Sequence, residues 1–144
     1  MAALACSTAL AIAQAVLAEG SRRRFAPLTA AVLDPGGHLV ALLRDDGSSL
    51  LRPQIGVAKA FGALAMGFGG RELERRAAKL PTFFTALIEL SHGNIVPLPG
   101  GVLIRDKKNA VIGAVGVSGD SSDNDELCAV EAIRIAGFTA DTGG

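Results

Sequence analysis

The side chains of this sequence that are equipped for chemistry sit beside glycine turns, and they fall in four places. The first is Leu43-Arg44-Asp45-Asp46-Gly47, an apolar run that ends on a guanidinium and two carboxylates. The planar donors of Arg44 suit bidentate capture of a carboxylate. An internal ion pair with Asp45 or Asp46 is the plainer use. The second is Val57-Ala58-Lys59-Ala60, a lysine inside an otherwise apolar stretch. Desolvation would equip Lys59 as a base or an anion partner, unless its tail runs out to solvent or bridges subunits. Pro99-Gly100-Gly101-Val102 is the third. The fourth is Gly113-Ala114-Val115-Gly116-Val117-Ser118-Gly119, with Asp123, Asp125 and Glu126 just beyond it. Backbone N–H groups around Ser118 can form an anion-binding concavity, or simply the turn before the last helix. The three carboxylates suit the first turn of a helix, and Asp125 also suits a base.

Several established constellations are absent. Gly116-Val117-Ser118-Gly119-Asp120 is not a nucleophile elbow, because its fifth residue is Asp rather than Gly. There is no phosphate-binding G-x-x-x-x-G-K-[ST] loop and no H-E-x-x-H pair. Two isolated cysteines, Cys6 and Cys128, make neither a zinc knuckle nor a disulfide framework, so both are expected reduced and buried. No metal site is expected. The 14 basic and 14 acidic residues cancel, which argues against a nucleic-acid partner. Trp and Tyr are missing, so an extended peptide is a poor partner as well.

The elements that must carry these residues follow from pattern. At 144 residues the chain fits one domain, 1–144, able to bury roughly 68–70% of its unfolded surface. Residues 3–18 are rich in Ala and Leu and predict a helix that Gly20 ends. That stretch is too short for a firm membrane span and has no basic segment before it, so a soluble, cytoplasmic protein is expected. Apolar runs 28–33 and 38–44 flank Asp34-Pro35-Gly36-Gly37 and predict a hairpin. Pro53 opens a helix through Met66, which Gly67-Phe68-Gly69-Gly70 stops, and Leu80 to Ser91 predicts another. A second hairpin, 101–105 with 110–117, turns at Asp106-Lys107-Lys108-Asn109. Asp123 to Glu126 reads as a capping box ahead of a helix through Gly137. Two hairpins impose antiparallel pairing, so an α+β fold with an antiparallel sheet is predicted.

These segments together resemble the GlcG/HbpS-like family, which also includes the C-terminal domain of PduO-type proteins. The family pattern V-x-D-x-G-G-x-L-V-A-x-x-R-x-D-G matches Val32 through Gly47, and its KA pair matches Lys59-Ala60. P-G-G-x-P-I is similar to Pro99 through Ile104, and G-A-x-G-V-S-G to Gly113 through Gly119 with Asp125-Glu126 after it. The chain departs at Phe61-Gly62-Ala63, where a Thr often follows the KA pair, and at Val102-Leu103 after the glycines. Both changes would reshape a pocket wall. The resemblance implies a profilin-like, five-stranded antiparallel sheet with helices on both faces. It also implies a homo-oligomer, a dimer or a higher even multiple, and makes haem a possible cofactor. His92 would then be a candidate iron ligand, although it also suits the end of a helix, while His38 suits the surface.

The leading reading is a small-molecule-binding protein for an anionic or carboxylated ligand, held by Arg44, Lys59, Gly100, Gly101, Ser118 and Glu126. The alternatives are a cofactor-independent isomerase or lyase using Lys59, Asp125 and Arg44, and a haem-binding or haem-degrading protein.

Overall fold

The computed structural model describes residues 4–144 of the chain. The order of elements is α1 (Cys6–Arg22), β1 (Thr29–Leu33), β2 (Leu39–Arg44), α2 (Arg52–Met66), α3 (Gly70–Lys79), α4 (Pro81–Leu90), β3 (Gly101–Arg105), β4 (Val111–Ser118), α5 (Ser122–Ile135) and β5 (Thr139–Asp141). The strands make one antiparallel sheet in the order β2-β1-β4-β3-β5. This is the α+β architecture that the two hairpins predict.

Each hairpin turn is built by one aspartate. Asp34 Oδ1 accepts from the amides of Gly36 and His38 at 2.9 and 3.0 Å, while Gly37 takes a positive φ. Asp106 Oδ1 does the same for Lys108 and Ala110, both at 2.9 Å, with Asn109 at positive φ. Such side-chain acceptors replace the backbone partners that a turn lacks.

Helices cover both faces, so the central strands are buried on each side. Ile12, Val16, Ala129 and Ile133 of α1 and α5 pack on Ala30, Val32, Val102, Ile104, Val115 and Val117. On the opposite face Ala60 and Ala63 of α2 pack on Ala31, Leu33, Leu103 and Ala114. There α2 approaches the sheet backbone directly. A Cβ at Gly116 would lie 1.8 Å from the Gly56 carbonyl oxygen, and one at Gly101 would lie 2.3 Å from that of Lys59.

Local expectations are corrected at several points. The first helix begins at Cys6, and Ala3 of the predicted span lies outside the described residues. Gly20 does not end it. The helix continues to Arg22, and Gly20 instead makes room for Leu28, whose Cδ1 would lie 2.5 Å from an added Cβ. The cap of α5 is Ser121, whose Oγ accepts from Asn124 N at 3.2 Å, rather than a box running from Asp123 to Glu126. Cys128 is buried, but Cys6 is exposed at the start of α1. α3 has one large apolar residue buried, Leu73, and is laced by Glu72 with Arg75 and Arg76. α4 is apolar yet buries only Phe84, leaving Phe83 and Leu90 50% and 79% exposed.

Candidate functional site

The ends of three strands and the start of α2 meet at one corner of the sheet. Thr29 pairs with Arg44 on one side and with Ser118 on the other. Residues directly opposite in a sheet share a face, and Thr29 lies in phase with Ala31 and Leu33 on the face that α2 covers. Arg44 donates through Nη2 to the carbonyl of Ser48, whose hydroxyl in turn donates to Leu28 O at 3.2 Å. Asp45 is occupied with the amide of Asp46 at 3.0 Å, so neither neighbouring carboxylate bridges Arg44. Arg52, at the first position of α2, donates from Nε to Ser49 Oγ at 2.9 Å and from Nη1 to Ser118 Oγ at 3.0 Å.

These two guanidiniums are unusual within the chain. Arg22, Arg23, Arg71, Arg75, Arg76, Arg105 and Arg134 each bridge a carboxylate. Among the described residues only Arg24, Arg44 and Arg52 do not, and Arg24 stands alone on an exposed turn. Thr29, paired with Arg44 on one side and Ser118 on the other, has its Oγ1 buried and without a hydrogen-bond partner. Such groups are rare in folded proteins.

Lys59 and Asp125 lie behind this corner. Their side chains are 3% and 1% exposed, and Nζ stands 3.2 Å from Oδ2. Nζ also donates to Val117 O at 3.0 Å, while Asp125 Oδ1 accepts from Asp120 N at 2.9 Å. Gly100, at φ 113°, makes the passage for this side chain, since a Cβ there would meet Nζ at 2.9 Å. Burial pushes the Lys59 ammonium below its ordinary pKa, against the pull of Asp125, and the nearby charge of Arg52 adds to the lowering. Burial likewise pushes the Asp125 carboxyl above its ordinary value, opposed by Lys59 and by the amide of Asp120. Burial also raises the thiol of Cys128 to about 11, which leaves it protonated at neutral pH.

The residues singled out in the sequence are therefore distributed as follows. Lys59, Asp125, Gly100 and Gly101 form one knot, joined to Ser118 through Val117. Arg44 lies two strands from Ser118, across Thr29. Glu126 is turned toward α3, where it and Asp123 hold Arg71 at 3.0 and 2.6 Å. Arg52 was not singled out. Its signal is an arginine opening a helix with Ser48, Ser49, Ile55 and Gly56 at the neighbouring helical positions, none of them acidic.

A cleft of about 530 Å³ lies beside the corner, lined by Leu42, Pro53, Gln54 and Val57 and by the Ser91–Asn94 turn. Leu42 precedes Arg44 by two residues on the same face of β2, and Pro53 follows Arg52. The cleft thus draws one wall from β2 and α2, the two elements that carry the unneutralised guanidiniums. His92, at φ 56°, also lines the cleft. Among the described residues no cluster of His, Cys, Asp and Glu is gathered for a metal ion, and no helix is long and apolar enough to cross a membrane.

The family model described as haem degrading protein HbpS-like matches residues 4–134. The chain belongs to the HbpS-like family. Among solved structures, a double mutant of Streptomyces reticuli HbpS superposes with a TM-score of 0.81 at 26% identity, covering 94% of this chain and 88% of that one. Klebsiella pneumoniae protein ORFY superposes at 0.80 with 25% identity, covering 93% of each chain. A PduOC:heme complex shares the fold, at a TM-score of 0.83 and 22% identity over 99% of this chain and 100% of that one. No curated protein matches the sequence significantly. The HbpS-like fold thus brings the C-terminal ends of VLDPGGHLVALLRDDG and GAVGVSG, at Arg44 and Ser118, to one corner.

The buried pair generates a pH-dependent prediction. Lys59→Met leaves the Asp125 carboxyl without its cation, which should cost about 3–5 kcal/mol at neutral pH. A carboxyl whose pKa is raised by folding holds its proton more tightly in the folded state. Its contribution is therefore most favourable below the ordinary value of 3.8 and is lost as pH rises through the folded value. The stability deficit of Lys59→Met relative to wild type, from urea midpoints, should accordingly shrink between pH 7 and pH 4. A deficit independent of pH would refute the placement of the Asp125 charge.

Proposed function

We propose that this HbpS-like chain is a small-molecule-binding protein whose ligand joins an apolar body to acidic groups. The observation that carries this reading is the pair Arg44 and Arg52, unneutralised by any carboxylate, on β2 and α2, the elements that also supply Leu42, Pro53 and Val57 to an apolar cleft. A ligand carboxylate would restore the missing charge and accept from both planar forks.

Haem is the ligand favoured within this class. The family description and the PduOC:heme complex point toward it, and three features of the cleft fit it. Leu42, Pro53 and Val57 offer an apolar wall for the macrocycle. The imidazole of His92 would hold the iron, and Arg44 and Arg52 would hold the propionates. Bound haem would supply one-electron and oxygen chemistry. An isomerase or lyase in the same cleft would need an accessible base, and Lys59 and Asp125 are almost wholly enclosed, so binding is the reading carried forward.

Hemin titration followed at the Soret band tests it. Saturable binding is expected, weakening as ionic strength rises. Arg44→Ala and Arg52→Ala should each weaken it by about tenfold to a hundredfold, the factor of a lost charged hydrogen bond. Arg52→Lys should recover only part, and His92→Ala should change the band of the bound form. Absence of saturation, or equal affinities in wild type and both alanine variants, would refute the proposal.

Self-association is also proposed. The exposed Phe83 and Leu90 of α4 and the exposed Leu50 and Leu51 before α2 are large apolar side chains that a two-fold contact would cover. Light scattering should report a dimer or an even multiple of the 14.6 kDa chain. A monomer at micromolar concentration would contradict it.

A further inference from the structure

The Lys59–Asp125 pair contacts neither the cleft nor solvent, yet its hydrogen bonds end on one short segment. Lys59 Nζ holds the carbonyl of Val117, the residue before Ser118. Asp125 Oδ1 holds the amide of Asp120, two residues after Ser118. The Nζ–Oδ2 contact closes the ring between α2 and α5. Ser118 and Gly119 are thereby gripped from both sides, and Ser118 Oγ is the acceptor that holds Arg52 Nη1. Gly119 fits here because a Cβ would lie 2.2 Å from Pro27 O, so the turn has no slack toward β1 either.

We propose that Lys59 and Asp125 are positioning residues: they clamp the Val117–Asp120 turn so that Ser118 aims the Arg52 guanidinium at the ligand's acidic group. This rests on the reading of Arg44 and Arg52 as the carboxylate end of the cleft. A buried ion pair is weak grounds for stability, since apolar replacements of similar volume often cost nothing. What such replacements cannot reproduce here is the donor to Val117 O and the acceptor for Asp120 N. A clamp predicts loss of aim with the fold retained, whereas a purely structural pair predicts no effect on Arg52 once packing is restored.

The test replaces the two together, Lys59→Met with Asp125→Leu, so that neither charge is left buried alone. The direct readout is the Nη1–H resonance of Arg52, the group that Ser118 Oγ holds, in nitrogen-15 spectra taken cold enough to slow guanidinium rotation and assigned by its disappearance in Arg52→Lys. Wild type should show slow solvent exchange at this group. In the paired variant the signal should move to the position of a free arginine and exchange at least tenfold faster, while the sheet amides keep their dispersion. An unchanged Arg52 signal overturns the proposal.

Should the paired variant fail to fold, Lys59→Met with Asp125→Asn decides by the same criterion, since it keeps the shape and the acceptor for Asp120 N, removes the donor to Val117 O and leaves no charge buried alone. Hemin affinity is the second arm. It should fall about tenfold in the clamp variant, and Arg52→Ala should cost little more in that background. Additive losses overturn the clamp. A freed Arg52 signal with unaltered affinity leaves the clamp standing and overturns the carboxylate reading instead.

Discussion

Two opposite charges enclosed between α2 and α5 set the terms for the rest of this structure. Taking an ammonium and a carboxylate out of water costs several kcal/mol for each ion, and the cost is recovered only with close geometry and further hydrogen bonds. Lys59 reaches Asp125 only because α2 lies against bare backbone at Gly101 and Gly116, and because Gly100 leaves a passage for the side chain. The same demand fixes the carbonyl of Val117 and the amide of Asp120. The glycine-rich segments of this sequence are therefore spaces kept open for a helix and one lysine.

That arrangement separates two kinds of charge. Lys59, Asp125, Glu126 and Asp123 are matched internally and tie the helices together. Arg44 and Arg52 are left unmatched where the sheet, α2 and the apolar cleft meet. Arg52 is half-buried, so the carboxylate proposed for the ligand would meet there a charge that has already lost part of its solvent. A pre-aimed fork loses less conformational freedom on binding than a free side chain does.

Much of the fold could be read from local chemistry. Asp34 and Asp106 announce their hairpins because one carboxylate followed by Gly37 or Asn109 satisfies a turn by itself. Pro53 marks the start of α2, and the apolar runs mark the four longer strands. What escaped local reading depends on distant partners. α3 has no apolar stripe beyond Leu73, and β5 is three residues at a sheet edge, too short for a period-2 pattern. Gly20 looks like a helix stop until Leu28 is seen to fill the space beside it. The apolar neighbours of Lys59 signal its chemistry, but its partner lies 66 positions away. Arg52 gave only a negative signal, the lack of a nearby acid, and such a signal acquires meaning once every other carboxylate has been assigned.

The central claim is that the cleft between β2, α2 and the Ser91–Asn94 turn, with its two arginines, is where this HbpS-like chain takes its ligand. Mapping amide shift changes in nitrogen-15 spectra during titration with hemin, or with its iron-free dicarboxylic macrocycle to avoid paramagnetic loss, tests this most directly. The account predicts changes concentrated at Leu42, Arg44, Arg52 to Val57 and His92 to Asn94. Changes concentrated instead at the opposite depression, around Lys107, Lys108 and Phe138, or no saturable change at all, would contradict it.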